Sequence, residues 1–142
     1  MENKIVIDDG FKTYDIENQD GKLLGQFSFN PSDTNIIHRH AEVVKALEEL
    51  EVEIPEGESE TDTEEALAKI EKIIHEKLNY LLNADVAENF FSIMGALTPL
   101  ANGQYFIESV IDAIGQAIQA ETGTRMQKVN GKIKKHTAKY HR

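Results

Sequence analysis

FKTYDIENQDGKLLGQFSFNPSDTNIIHRHAEVVKALEEL, residues 11–50, is the stretch whose reading decides the fold. Phe11 to Asn18 alternates weakly, with Tyr14 and Ile16 on one face of a strand. Gln19-Asp20-Gly21 is a turn signal, because glycine takes the positive φ that short hairpins need. Leu23 to Phe29 returns with Leu23, Phe27 and Phe29 at period two. These segments predict a β-hairpin over 11–29. Asn30-Pro31-Ser32-Asp33 comes next. Asn30 is the expected cap of the next helix, and Pro31 suits a first helical position because its missing N–H costs nothing there. Asp33, three residues on, places a carboxylate at the positive end of that helix. The helix is predicted over about 31–50, with Ile36, Ile37, Val43, Val44, Leu47 and Leu50 as its apolar stripe.

Upstream, Lys4-Ile5-Val6-Ile7 is a short β-branched run ended by Asp8-Asp9-Gly10. It reads as an edge strand or as a segment ordered by a partner. Downstream, Glu48 to Glu65 holds ten acids and no base, which predicts a solvated loop over 51–61. A calcium loop is rejected. Glu58, Glu60, Asp62 and Glu64 alternate, but the Asp/Asn positions, turn glycine and closing Glu of an EF-hand are missing. Thr61 to Glu64 has capping-box spacing and opens a helix over about 62–82, with Leu67, Ile70, Ile74, Leu78 and Leu81 at intervals of three and four. Asp85 to Glu88 opens a shorter helix over about 86–94 that carries Phe90, Phe91 and Ile93.

Asn102-Gly103 is a turn, and the last strong helix is predicted over about 104–121. Phe106, Val110, Ala113, Ile114, Ala117 and Ile118 form one face, widened by Ile107 and Ile111. So broad an apolar face belongs at the centre of a bundle or at a subunit contact. Gly115 and Ala117 allow close backbone approach. Thr122-Gly123 is the expected end, and Gly131 argues for a break in the segment beyond it. The expected architecture is mainly α in an α+β fold. A hairpin packs on about four helices in a single domain over 1–124, with a basic tail over 125–142.

Composition narrows the function classes. The chain has 142 residues, enough for one domain with its own core. It has no Cys, which excludes thiol chemistry, disulfides and Cys-ligated zinc and fits a reducing cytoplasm. No apolar run approaches a membrane span, and Met1-Glu2-Asn3-Lys4 lacks the pattern of a signal peptide. Charge is asymmetric. Residues 1–124 hold eight bases against 25 acids, a balance of −17, while residues 125–142 hold seven bases and no acid. The basic segment suits an acidic protein surface, or the acidic body of a neighbouring subunit, better than nucleic acid. The body repels a phosphate backbone, Trp is absent and aromatics are few.

The residues show no catalytic constellation. His38 and His40 are two apart and diverge on a helix, His75 stands on a polar flank, and no His-x3-His pair exists. The serines Ser28, Ser32, Ser59, Ser92 and Ser109 lack a strand–turn–helix elbow, and the glycines form no phosphate loop. The sequence therefore reads as a non-enzyme without metal or cofactor. Its expected protein-binding residues are the apolar Phe106, Val110, Ile111, Ile114 and Ile118 and the basic Arg125, Lys128, Lys132, Lys134, Lys135 and Lys139.

Three groups of residues carry a family resemblance. They are Gly10 to Asn18 with Phe27-Ser28-Phe29-Asn30-Pro31-Ser32-Asp33, then Lys77 to Leu82 with Leu97-Thr98-Pro99-Leu100 and Asn102-Gly103, and finally Lys134 to Tyr140. In this order, over nearly the whole chain, they resemble small proteins of phages and prophages of Gram-positive bacteria that are similar to tail assembly chaperones of long-tailed phages. The resemblance implies a helical fold with a short β element, in the bacterial host cytoplasm. It also implies a non-catalytic helper that coats the tape measure protein, recruits tail tube subunits and leaves before the virion is complete. A longer form made by frameshifting near Lys134-Lys135 is a further implication. A scaffold or virion component, and a regulator of a host protein or nucleic acid acting through the basic tail, are the alternatives.

Overall fold

The computed structural model describes the backbone of residues 3–50 and 60–140, and the side chains of 3–50 and 64–129. Strands β1 (Lys12–Glu17) and β2 (Leu23–Phe29) form an antiparallel hairpin. Four helices come after it: α1 (Thr34–Glu49), α2 (Glu60–Leu82), α3 (Ala87–Phe91) and α4 (Phe106–Tyr140). The fold is α+β, as the periodicities predict. The predicted loop over 51–61 lies outside the described residues up to residue 59, and α2 already begins at Glu60.

The hairpin turns at Gly21, whose φ is +81°. Asn18 holds the turn, its Oδ1 accepting from the amides of Asp20 (2.9 Å) and Lys22 (3.0 Å). Pairing runs from Lys12–Phe29 to Ile16–Gly25, then slips at Glu17–Leu23. The slip leaves Leu24 as an extra residue, half-buried against the core, while Leu23 stays exposed. Gly25, Phe27 and Phe29 form the buried face of β2.

Gly25 is where the hairpin meets the bundle. A Cβ at this position would lie 1.8 Å from Cε2 of Phe90. The bare backbone admits the Phe90 ring, which then contacts Phe27 (centroids 5.6 Å apart) and stacks on Phe106 (5.7 Å). Phe91 meets both Phe90 and Phe106 edge-on. This aromatic run joins β2, α3 and α4. Ile36 and Val43 from α1 and Ile74, Leu78 and Leu81 from α2 complete the core.

The cap of α1 differs from expectation. Asp33 is the N-cap, its Oδ1 accepting from Asn35 N at 2.9 Å. Pro31 lies before the helix, fully buried, and Asn30 closes a tight turn by accepting from Ser32 N. Aspartate caps as well as asparagine does, so the sequence offers two starts three residues apart. α3 is shorter than predicted, and Val86 at its N-cap supplies no side-chain bond. Asn79 of α2 supplies the cap instead, its Oδ1 accepting from the amides of Val86 and Ala87, both at 2.8 Å.

The largest departure is α4. It starts two residues late, because Gln104 and Tyr105 belong to a small loop closed by the Pro99–Tyr105 bridge and the Leu100 N to Gln104 O bond. It does not end at Thr122-Gly123 but continues through both Gly123 and Gly131 to Tyr140. Glu121, Thr122 and Arg125 are engaged by the hairpin and the turn before α1, so tertiary contacts carry the helix past the first glycine.

Candidate interaction surfaces

The predicted binding residues divide into three sets. Phe106, Val110, Ile111, Ile114 and Ile118 are all buried, at 1–7% exposure. Of the two readings of that broad face, the fold takes the bundle centre. These side chains are spent within the chain, and of the five only Ile111 also borders a surface groove. Ala113, expected on the same face, is exposed. Gly115 meets α1 as its small size allows: the His40 ring lies against it and His40 Nε2 sits 3.1 Å from the Ile111 carbonyl.

Arg125 forms the second set by itself. It is the centre of a tie between α4 and the N-terminal part of the chain. Its Nη1 donates to Asn30 Oδ1 (2.9 Å) and Ser32 Oγ, and its Nη2 donates to the Gly10 carbonyl (3.0 Å). The fork geometry of a guanidinium serves three acceptors at once. Glu121, one helical turn earlier, flanks it at 3.7 Å and takes Lys12 Nζ of β1 at 2.6 Å. Lys12 holds the Glu121 carboxyl below its ordinary value of 4.5, chiefly by that hydrogen bond. Thr122 Oγ1 donates to the Pro31 carbonyl at 3.1 Å. Tyr14 stacks on Phe29 beside this tie. Its buried hydroxyl finds no hydrogen-bond partner among the described residues, and burial raises its pKa. Arg125 is thus a structural fastener, although composition grouped it with the tail.

The third set is the arm beyond Arg125. Met126 lies half exposed, at 49%, and Val129 likewise, at 47%. Lys128 is exposed between them. Lys132, Lys134, Lys135 and Lys139 lie on the same continuous helix, and their side chains fall outside the described residues. The 35 residues of α4 span about 52 Å at 1.5 Å per residue, and the part after Arg125 carries the basic segment as a rod.

Two further surfaces emerge only from the fold. The run Ile5-Val6-Ile7 joins no strand, and its residues are 77–90% exposed. Asp8 and Asp9 close the turn behind it by accepting from Gly10 N and Phe11 N, and the Arg125 tie fixes Gly10. The apolar run therefore projects from an anchored base. The second surface is an open groove of about 180 Å³ between α1 and the start of α4. Val44, Leu47 and Ile111 form its apolar part, and Glu48, Glu108 and Asp112 its acidic border.

A shallow polar depression lies over α1 and the end of α2, lined by His38, Arg39, Glu42 and Tyr80. Arg39 Nε donates to the Leu81 carbonyl and Tyr80 donates to Glu42 at 2.6 Å, which raises the Tyr80 pKa. These bonds join the two helices. His75, expected on a polar flank, stacks on Phe91 with centroids 5.1 Å apart. Among the described residues no three acidic or histidine side chains gather as a metal site, and no helix is long and apolar enough to cross a membrane. No family model, curated protein or solved structure matches the chain.

Proposed function

We propose that this chain is a non-catalytic assembly helper of the tail assembly chaperone kind, which holds a phage tape measure protein in soluble form and presents it to tail tube subunits. The resemblance in sequence motifs motivates the reading. The observation that carries it is the anchored, exposed run Ile5-Val6-Ile7 on an acidic body. A β-branched run that remains 77–90% exposed suits capture of an extended or helical apolar partner. The body, with a balance of −17 over residues 1–124, keeps such a complex from aggregating by charge repulsion.

Because Phe106, Val110, Ile111, Ile114 and Ile118 are buried, the grip is assigned to the N-terminal run rather than to the helix face expected in the sequence. Co-expression with the tape measure protein of the same phage tests the reading. The intact chain is expected to keep the tape measure protein in the soluble fraction. A variant with Ile5→Ser, Val6→Ser and Ile7→Ser is expected to lose that effect while melting at the same temperature as the parent. Equal solubility of the tape measure protein with and without the chain contradicts the proposal.

A further inference from the structure

The geometry points to a head-to-tail contact between copies of this chain, in which the basic arm of α4 seats in the groove between α1 and α4 of a second copy. This contact is independent of the partner proposed above, because purified protein alone tests it.

The arm and the groove match in two respects. Met126 and Val129 offer half-exposed apolar side chains three residues apart on one helix, and the groove offers the half-buried Val44 and Leu47, over the buried Ile111, as an apolar seat. Around these, the arm belongs to a segment of seven bases and no acid, whereas the groove is bordered by Glu48, Glu108 and Asp112. An apolar helix stripe between basic residues, entering an apolar groove between acidic ones, is a helix-in-groove pairing with charge selection. Charge selects the occupant. The arm is the one strongly basic segment of a chain whose net charge is −10, and the acidic body of this same protein is its direct complement.

The arm cannot reach its own groove. Asp112 at the groove and Met126 at the start of the arm lie on one continuous helix, 14 residues and about 21 Å apart. A helical rod does not fold back along its own axis, so an arm seated in this groove belongs to another molecule. Donor and acceptor patches are different surfaces, the groove at the start of α4 and the arm beyond its middle. The contact is therefore heterologous, and it repeats into a ring or an open chain of subunits rather than stopping at a symmetric dimer.

Sedimentation of the purified full-length protein tests this, with two variants. Val129→Asp disables the arm, and Glu48→Lys with Asp112→Lys disables the groove; all three positions are exposed, so the fold is retained, and Glu48→Lys alone replaces the pair if melting shows otherwise. The parent is expected to exceed its monomer mass of 16.0 kDa increasingly with concentration and to return to it in high salt. Each variant alone is expected to stay monomeric. An equimolar mixture of the two is expected to form a complex of two chains that grows no further, because one intact arm meets one intact groove. A parent that is monomeric at every concentration overturns the inference. So does association that survives Val129→Asp, or a mixture that remains two monomers.

Discussion

Gly25 and Phe90 show how one missing side chain joins two elements. The aromatic ring occupies the space of a Cβ, so Gly25→Ala forces a shift of either β2 or α3. Overpacking of this kind costs about 1–3 kcal/mol, and the urea midpoint of the variant is expected to fall accordingly with an unchanged slope. The Lys12–Glu121 pair gives a pH dependence. Its carboxylate is held below the ordinary 4.5, so its contribution is present above that value and lost as pH falls through the lowered one. Lys12→Met removes the largest cause of that lowering. The drop in melting temperature from about pH 5 to pH 3 is then expected to be shallower in the variant than in the parent. An identical drop in both contradicts the role given to this pair.

Among the elements, legibility tracks periodicity. The hairpin, α1 and α2 are readable because Phe27 and Phe29 alternate, and because Ile74, Leu78 and Leu81 repeat at helical spacing. Boundaries that depend on distant residues are not. The cap of α3 comes from Asn79, eight residues before Ala87 and on another helix. The end of α4 is hidden for the same reason. Gly123 is an ordinary stop signal, but Thr122 and Arg125 are bonded to Pro31, Asn30 and Gly10, which lie 91, 95 and 115 residues earlier in the chain. The candidate surfaces are half legible. The basic arm and the apolar N-terminal run are visible in composition, whereas the groove at Val44 and Ile111 exists only once α1 lies beside α4. Gly123 is helical and exposed, and a Cβ added to it would meet nothing within 4 Å. Gly123→Ala is expected to stabilise the protein by about 0.5–1 kcal/mol and to raise its helical circular dichroism signal. A loss of stability there would mean that the helix must yield at this point.

In the whole molecule, the core and the exposed surfaces draw on largely separate residues. The inner half of α4 supplies Phe106, Val110, Ile114 and Ile118 to the centre, and its outer half leaves the body as a charged rod. Ile114→Asp puts a carboxylate at a position 1% exposed and is expected to cost about 3 kcal/mol or more, read as a large fall in melting temperature. Substitutions in Ile5-Val6-Ile7 or at Val129 are expected to leave melting unchanged and to alter only association. That separation suits the proposed role, in which the chain stays folded while partners come and go.

Affinity capture of the tagged protein from phage-producing cells, read by mass spectrometry beside purified virions, tests the proposed role most directly. The tape measure protein is expected to be recovered with the chain during assembly, and the chain is expected to be missing from finished particles. Stoichiometric presence of the chain in virions, or capture that contains no tape measure protein, contradicts the role.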